Sequence, residues 1–247
     1  YEGLARWFRA LFYYDKLVTY GEVPWFDKEL QNYEFDLMYK DRDSRDVIVK
    51  NIIADLDFAY ENIQTTSSTG SSLVSKWAAA GLKSRVCLFE ASFRKYHKVS
   101  GELTTDYPFE QAAAAAQLVM DGSGHSLNPA KGTRGAYRDL FTSNTLPTNE
   151  VILGVNCSAD SGIYGNQNWR FNSASYGNGY CPTRAFIYTM LMKDGTPFTN
   201  KSDYSTTSFV DEFKNRDERL AQIVRYPEYK LDGKIAAADI VTSVAVT

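Results

Sequence analysis

Two alanine-rich segments lie in the middle of the chain: SKWAAAGLKSRVCLFEASFRKYH at Ser75–His97 and FEQAAAAAQLVMD at Phe109–Asp121. Ser75 is suited to cap the first helix, whose apolar residues share one face: Ala78, Leu82, Val86, Phe89 and Phe93. Beside this face, Ala79, Ala80 and Gly81 leave room for another helix to pack closely. The second helix begins near Pro108 and stops at Gly122. The pair therefore predicts a helical hairpin.

The chain before this pair predicts two more helices. The first ends at Gly21 and Pro24, and its apolar residues recur at three- and four-residue steps: Leu4, Trp7, Phe8, Leu11, Phe12 and Val18. The second is capped by Asp43 and Ser44, carries Asp46 in its first turn and runs to about Asn62. Its apolar residues share one face: Ile48, Ile52, Leu56, Ala59 and Ile63. The Thr/Ser/Gly run from Thr65 to Ser72 predicts a flexible connector.

Stacked hairpins of this kind are similar to tetratricopeptide repeats, although eleven residues join the alanine-rich helices, more than in a standard repeat. Beyond Ser123 the pattern changes. Glu150–Asn156 predicts a short strand, and Arg184–Met192 predicts a short helix that ends at Asp194-Gly195. We therefore expect one mainly helical domain with long loops and a few short strands, in which 1–123 is a helical scaffold and 124–247 is loop-rich.

The segment from Ser158 to Pro182 is the candidate ligand site. It consists largely of Asn, Gly, Ser and aromatic residues, and ordered loops of this length often carry function. Sugar rings offer apolar C–H faces to aromatic side chains, which predicts stacking by Trp169, Tyr164 and Tyr176. Amides and guanidinium groups bind hydroxyls, which predicts hydrogen bonds from Asn166, Asn168, Arg170 and Asn172. The alternative is that these aromatic residues only pack the loop onto the helices. Trp25 and Phe26, just after a turn, are a weaker candidate for a site and are better explained as core or as a protein contact.

Composition excludes several partners. The 247 residues carry a formal net charge of −3 with a pI near 5.5, so no basic face for nucleic acid is expected. No apolar run approaches the roughly 20 residues that a membrane helix needs. The aromatic content of 14% includes 17 tyrosines, whose flat faces and polar tips suit sugars as well as proteins.

No catalytic or metal motif is present, and no cofactor is predicted. His97 and His125 are the only imidazoles and lack metal-ligand spacing, so we interpret both as ordinary surface groups. There is no G-x-S-x-G, and among 30 acidic residues no carboxylate pair can be singled out for glycoside hydrolysis. The three cysteines form no metal pattern, and a bridge between Cys157 and Cys181 stays open.

Four stretches, in order, resemble the SusD/RagB family of glycan-binding outer-membrane lipoproteins. The first is ARWFRALFYY at 5–14 with YGEVP at 20–24, and the second is IADLD at 53–57. The third is the pair of alanine-rich helices together with 137–141 and 149–155. The fourth runs from PTR at 182–184 through DGTPF at 194–198 to RDERL at 216–220 and YP at 226–227. Glu218 stands where the family often has Pro, and Glu228 stands where Gly often follows the Tyr-Pro pair. No stretch within Leu231–Thr247 is assigned to the family pattern.

The resemblance implies a SusD-like scaffold of tetratricopeptide-like hairpins that captures glycan and does no chemistry on it. It implies a SusC-like TonB-dependent outer-membrane transporter as partner, in a Bacteroidetes-type cell. Because Tyr1 lies inside a running helix pattern, we expect the chain to be a fragment, with an export signal and a lipid-bearing cysteine upstream. The cell surface of the outer membrane is then the expected location.

Two alternatives to glycan capture stay open. Some family members handle peptides or other nutrients, so a peptide- or protein-binding lid is the first. The second is a helical glycoside hydrolase or lyase, which would need a carboxylate pair across a cleft.

Overall fold

A computed structural model of the chain describes residues 1–64, 70–128, 135–143, 145–157, 162–163 and 181–224. These residues form two compact units, each described separately below. Unit 1 comprises residues 1–126 and 148–155, and unit 2 comprises residues 127–147 and 156–247. The described residues are mainly helical, as the periodicity predicts.

Unit 1 is a row of helices in which each long helix packs on the next along the chain. Its helices are α1 (Glu2–Tyr20), α2 (Phe35–Met38), α3 (Arg45–Asn62), α4 (Lys76–His97) and α5 (Asp106–Gly122), with a 3-10 turn at Gly70–Ser72. Ser44 accepts a hydrogen bond from the Val47 N–H, and Ser75 accepts one from the Ala78 N–H, so both predicted caps are confirmed. The predicted hairpins of unit 1 are therefore α1 with α3 and α4 with α5.

The unit 1 core contains residues from each of these four long helices, among them Leu17, Ile52, Leu56, Val86 and Ala112. Each large aliphatic side chain buried here contributes roughly 1.5–3 kcal/mol. Most of the predicted apolar residues of α3 and α4 are in this core, so those two faces are confirmed. Ala79 and Ala80 are also buried, but a Cβ at Gly81 would meet nothing within 4 Å, so the predicted packing role of Gly81 is wrong.

The predicted apolar face of α1 is only partly correct. Trp7 is buried, but four of the other predicted residues are more than a third exposed: Leu4, Phe8, Phe12 and Val18. The buried residues of α1 are instead Gly3, Trp7, Ala10 and Leu17. Gly3 lies against the end of α3, where a Cβ would come within 3.1 Å of Ile63. Close approach of two helices favours small residues, which a search for large apolar side chains overlooks.

Four charged side chains form a buried network between α3 and α4. Arg94, which is 1% exposed, donates to Glu90 at 2.7 Å, to the Leu103 carbonyl at 3.0 Å and to Asp46. Arg45 donates to Glu90 at 2.9 and 3.0 Å. Burial alone would raise the pKa of Asp46, but hydrogen bonds from Arg94 and from the Leu103 backbone outweigh it and lower the pKa. The network therefore ties both helices to the residues that lead into α5.

Two further predictions in unit 1 need correction. Ser71 was expected in a flexible connector, but it is buried, and its carbonyl accepts a hydrogen bond from the Gly154 N–H at 2.7 Å. Its hydroxyl donates to the Val151 carbonyl. Residues 150–156 form no strand, so the predicted strand is wrong. Their contacts with Ser71 are single hydrogen bonds, whereas a strand needs a ladder of backbone hydrogen bonds with a partner strand. Residues 65–69 of the predicted connector lie outside the described residues.

Unit 2 contains short helices: α6 (Ala136–Thr142), α7 (Arg184–Thr189), α8 (Phe209–Glu212) and α9 (Leu220–Ile223), with a 3-10 turn at Phe198–Asn200. Its β structure includes two isolated bridges, Leu191 with Pro197 and Met192 with Arg216. The predicted helix from Arg184 ends at Thr189 and not at Met192, because Met190 takes an extended backbone. The chain then turns at Gly195, whose φ of 85° suits glycine.

Candidate functional site

The predicted ligand residues lie outside the described residues. They are Tyr164, Asn166, Asn168, Trp169, Arg170, Asn172 and Tyr176. Their role in binding stays a prediction. The structure does describe the chain on both sides of them, at residues 162–163 and from Cys181 onward.

The chain that follows the predicted ligand loop is firmly anchored in unit 2. The Thr183 hydroxyl caps α7 by accepting from the Phe186 N–H at 3.2 Å. One residue later, Arg184 donates through Nε to Glu212 Oε1 at 3.0 Å and also through Nη2 to the same oxygen. The hydrogen bond with Glu212 raises the pKa of Arg184, while Glu212 itself is buried. The end of the predicted loop is therefore held by a helix cap and an ion pair.

Arg216 holds the centre of this part of unit 2. It is 5% exposed and donates to three backbone carbonyls: Glu212 at 2.9 Å, Ile187 at 2.6 Å and Met190 at 2.9 Å. Its guanidinium also lies 4.0 Å from the ring centroid of Phe198. Desolvation by burial lowers the pKa of Arg216. Arg216 belongs to the RDERL stretch, and Phe198 belongs to DGTPF. These two stretches therefore stabilise the fold and position the segment that follows the loop.

A polar cavity of about 500 Å³ lies next to these residues in unit 2. Phe198 and Met192 supply its apolar side, and polar groups line the rest, including Lys201, Asp203, Thr206, Ser208, Asp211, Lys214 and Asn215. The two lysines are already paired with the two aspartates, at 3.2 Å for Lys201 with Asp203 and 2.6 Å for Lys214 with Asp211. Sequence reasoning did not find this cavity, since these residues follow no known motif.

Trp25 packs on the unit 1 core, in agreement with its interpretation as a core residue. Its ring lies 4.1 Å from that of Tyr13, and its backbone N–H donates to Asp43 at 2.6 Å. The Tyr13 hydroxyl accepts from the Phe26 N–H at 2.7 Å and donates to the Pro24 carbonyl at 3.2 Å. These contacts fix the turn after α1.

The described residues contain no group of three or more histidine, cysteine, aspartate or glutamate side chains able to hold a metal. Six described carboxyl groups have a pKa clearly different from its ordinary value, and in all six it is lowered: Glu34, Asp43, Asp46, Asp194, Asp211 and Asp217. His97 is exposed and lies 4.3 Å from the Phe93 ring, whereas Nδ1 of His125 is buried.

Cys157 and Cys181 are exposed free thiols, and Cys87 is a buried one. The bridge that the sequence left open is therefore not formed. Burial raises the pKa of Cys87 to about 12.

In the part of the chain that the structure describes, no helix has both the length and the apolar character needed to cross a bilayer.

Comparison with solved structures and with family models agrees with the fold and the family resemblance predicted from the sequence. The chain is similar to a SusD-like protein from Bacteroides fragilis, with a TM-score of 0.60 and 25% identity over 89% of this chain and 42% of that one. A SusD-like carbohydrate binding protein from the same species matches with a TM-score of 0.64 and 19% identity, over 96% of this chain and 44% of its own. The chain therefore spans less than half the length of these structures. No curated protein matches the sequence.

These likenesses define the class: a mainly helical protein with the SusD-like fold. The SusD family model matches residues 149–244, which include the predicted ligand loop and the RDERL and DGTPF stretches. The resemblance to the SusD/RagB family that the sequence predicts is thus confirmed.

Proposed function

We propose that this protein is the nutrient-capturing component of a TonB-dependent importer, which binds an oligosaccharide and passes it to a SusC-like transporter without chemical change. The observation that carries the proposal is the SusD family match over residues 149–244 in a chain with the SusD-like fold. One of the two similar structures is described as a carbohydrate binding protein. That description agrees with the proposed ligand class.

The proposed binding residues are those of the aromatic loop. Trp169, Tyr164 and Tyr176 stack on sugar rings, and the hydroxyls around each ring are bound by Asn166, Asn168, Arg170 and Asn172. Two observations support this assignment. The loop composition is rich in aromatic and amide side chains, and the chain after it is anchored by Thr183, Arg184 and Arg216, as preorganised binding requires.

The proposed location is the outer face of the outer membrane, beside the transporter.

Isothermal titration of the full-length protein against a panel of neutral oligosaccharides tests the proposal. Three proteins are compared: the wild type, Trp169→Ala, and Tyr96→Ala as a matched control that removes a 78% exposed ring from α4 in unit 1. A stacked aromatic ring contributes roughly 0.5–1.5 kcal/mol beyond the area that it buries, so the loss of one stack is expected to weaken binding by roughly tenfold. Tyr96→Ala is expected to bind as the wild type does.

Each outcome is informative. Equal binding by Trp169→Ala and the wild type would refute the loop assignment while keeping glycan capture. Binding of peptides in preference to every sugar would favour a peptide-binding lid. Release of shortened products from a bound oligosaccharide, followed by chromatography, would show a hydrolase and refute the proposed role.

A further inference from the structure

A groove between α1 and α3 of unit 1 has a volume of about 520 Å³, within the range of small-molecule sites. Ala5 from α1 and Ala54 from α3 leave it open, because neither side chain extends across it. One aromatic and six polar side chains supply the rest of its chemistry: Glu2, Arg6, Arg9, Trp25, Asp27, Asn51 and Asp55. We name it the Arg9 groove.

A partly buried ion pair holds the Arg9 groove. The Asp55 side chain is 3% exposed and accepts two hydrogen bonds from Arg9, each of 2.6 Å. The third nitrogen of the Arg9 guanidinium donates to the Asp27 carbonyl at 3.2 Å. The Trp25 ring packs on the Tyr13 ring, with 4.1 Å between their centroids. The groove is therefore preformed, and a ligand would not have to order it.

The charges of the Arg9 groove do not suit an anion. All three guanidinium nitrogens of Arg9 are already donating. Arg6 donates through Nε and Nη2 to Glu2, which leaves only Nη1, at 3.9 Å from Asp55. A carboxylate or phosphate binds best to a free guanidinium fork, and neither arginine offers one. The lining carries three carboxylates and two guanidinium groups, which repels a negatively charged ligand.

Two polar side chains in the Arg9 groove are left for a ligand. The half-buried Asn51 amide and the exposed Asp27 carboxylate make no side-chain hydrogen bond with any described residue. The amide both donates and accepts, and the carboxylate accepts. A hydroxyl group can pair with either of them, because it is itself a donor and an acceptor. Trp25 adds an apolar edge on the same groove.

From this geometry we infer that the Arg9 groove is a second binding site, which takes a neutral polyhydroxylated ring, that is, one sugar unit or two. Asn51 and Asp27 bind its hydroxyls, Arg6 Nη1 supplies one further donor, and Trp25 lies along its apolar side. The inference goes beyond the proposed function, because the groove belongs to unit 1 and uses no residue of the aromatic loop.

The test follows two groove signals by nuclear magnetic resonance: the Asn51 side-chain amide and the Trp25 indole N–H. The full-length protein is titrated with methyl glucoside, galactoside, mannoside and xyloside, with maltose and cellobiose, and with glucuronate and inorganic phosphate as anions. Ala54→Trp fills the groove. Ala113→Trp is its matched control, since Ala113 is an exposed residue of another long helix.

We expect saturable shifts of both signals with at least one neutral sugar, absent in Ala54→Trp and present in Ala113→Trp. Asn51→Ala, which removes one or two hydrogen bonds, should weaken binding by roughly two- to tenfold. No saturable shift with any neutral sugar would overturn the inference, as would tighter binding of glucuronate or phosphate. Unchanged far-ultraviolet circular dichroism shows that each variant is folded.

Trp169→Ala separates this inference from the proposed function. The Asn51 and Trp25 shifts should persist in that variant, even where calorimetry shows that the main glycan binding is lost. Loss of these shifts in Trp169→Ala would show that the groove is not an independent site. Binding that Trp169→Ala retains and Ala54→Trp abolishes would instead refute the loop assignment and support the groove.

Discussion

Replacement of Arg94 by methionine should strongly destabilise unit 1. Methionine keeps much of the apolar length of the side chain but removes three hydrogen-bonding interactions, with Glu90, Asp46 and the Leu103 carbonyl. Arg94 is 1% exposed and Glu90 is 0% exposed, so water cannot replace the lost donors. Removing one partner of a buried ion pair costs roughly 3–5 kcal/mol. For a protein of this size, that corresponds to a fall in Tm of roughly 6–20 °C.

Urea and thermal unfolding followed by circular dichroism at the helical band measure this effect. Glu102→Gln is the matched control, because Glu102 pairs with Lys50 at 2.5 Å at the surface, where its side chain is 79% exposed. Its backbone N–H still donates to Asp46 in that variant. The control should change the free energy of unfolding by less than about 1 kcal/mol. A loss for Arg94→Met no larger than that of Glu102→Gln would refute the view that the buried network holds α3 and α4 together.

Three more outcomes follow from the contacts. Arg216→Met should cost roughly 2–4 kcal/mol of unit 2 stability, because three carbonyls lose their donor. Arg219→Gln at the surface should cost less than about 1 kcal/mol. Chemical denaturation measures both free energies of unfolding. Gly101→Ala should cost roughly 1–3 kcal/mol by the same measurement, because its Cβ would overlap the carboxylate of Asp46, which three hydrogen bonds hold in place. Ellman's reagent at pH 8 should react with the two exposed cysteines of the native protein and reach Cys87 only after unfolding. A thiol with a pKa of about 12 is almost wholly protonated at pH 8 and therefore unreactive.

The results that would contradict these predictions are specific. Wild-type stability of Arg216→Met would mean that the RDERL arginine is free for a role other than folding. An unchanged free energy of unfolding for Gly101→Ala would show that Asp46 can move. Three reactive thiols in the native protein would show that α4 opens around Cys87.

Local sequence was sufficient for the four long helices of unit 1 and for the fold class, whereas the short helix α2 was not predicted. The caps Ser44 and Ser75 and the stop at Gly21 act within a few residues of the backbone they satisfy, so their effect is visible in the sequence. The order of the family stretches pointed to the SusD-like fold, which the comparisons confirm. The ligand residues of the aromatic loop stay a prediction, since they lie outside the described residues.

Tertiary structure alone decided which residues of α1 are buried, which charges pair and where the groove forms. Large apolar residues on α1 suggested one buried face, but Gly3 and Ala10 are buried because they let α3 approach. Arg9 and Asp55 are 46 residues apart, and no spacing rule links them before the helices pack. Local spacing determines which helices form, whereas burial and pairing depend on which surfaces meet, and that contact is made only in the folded chain.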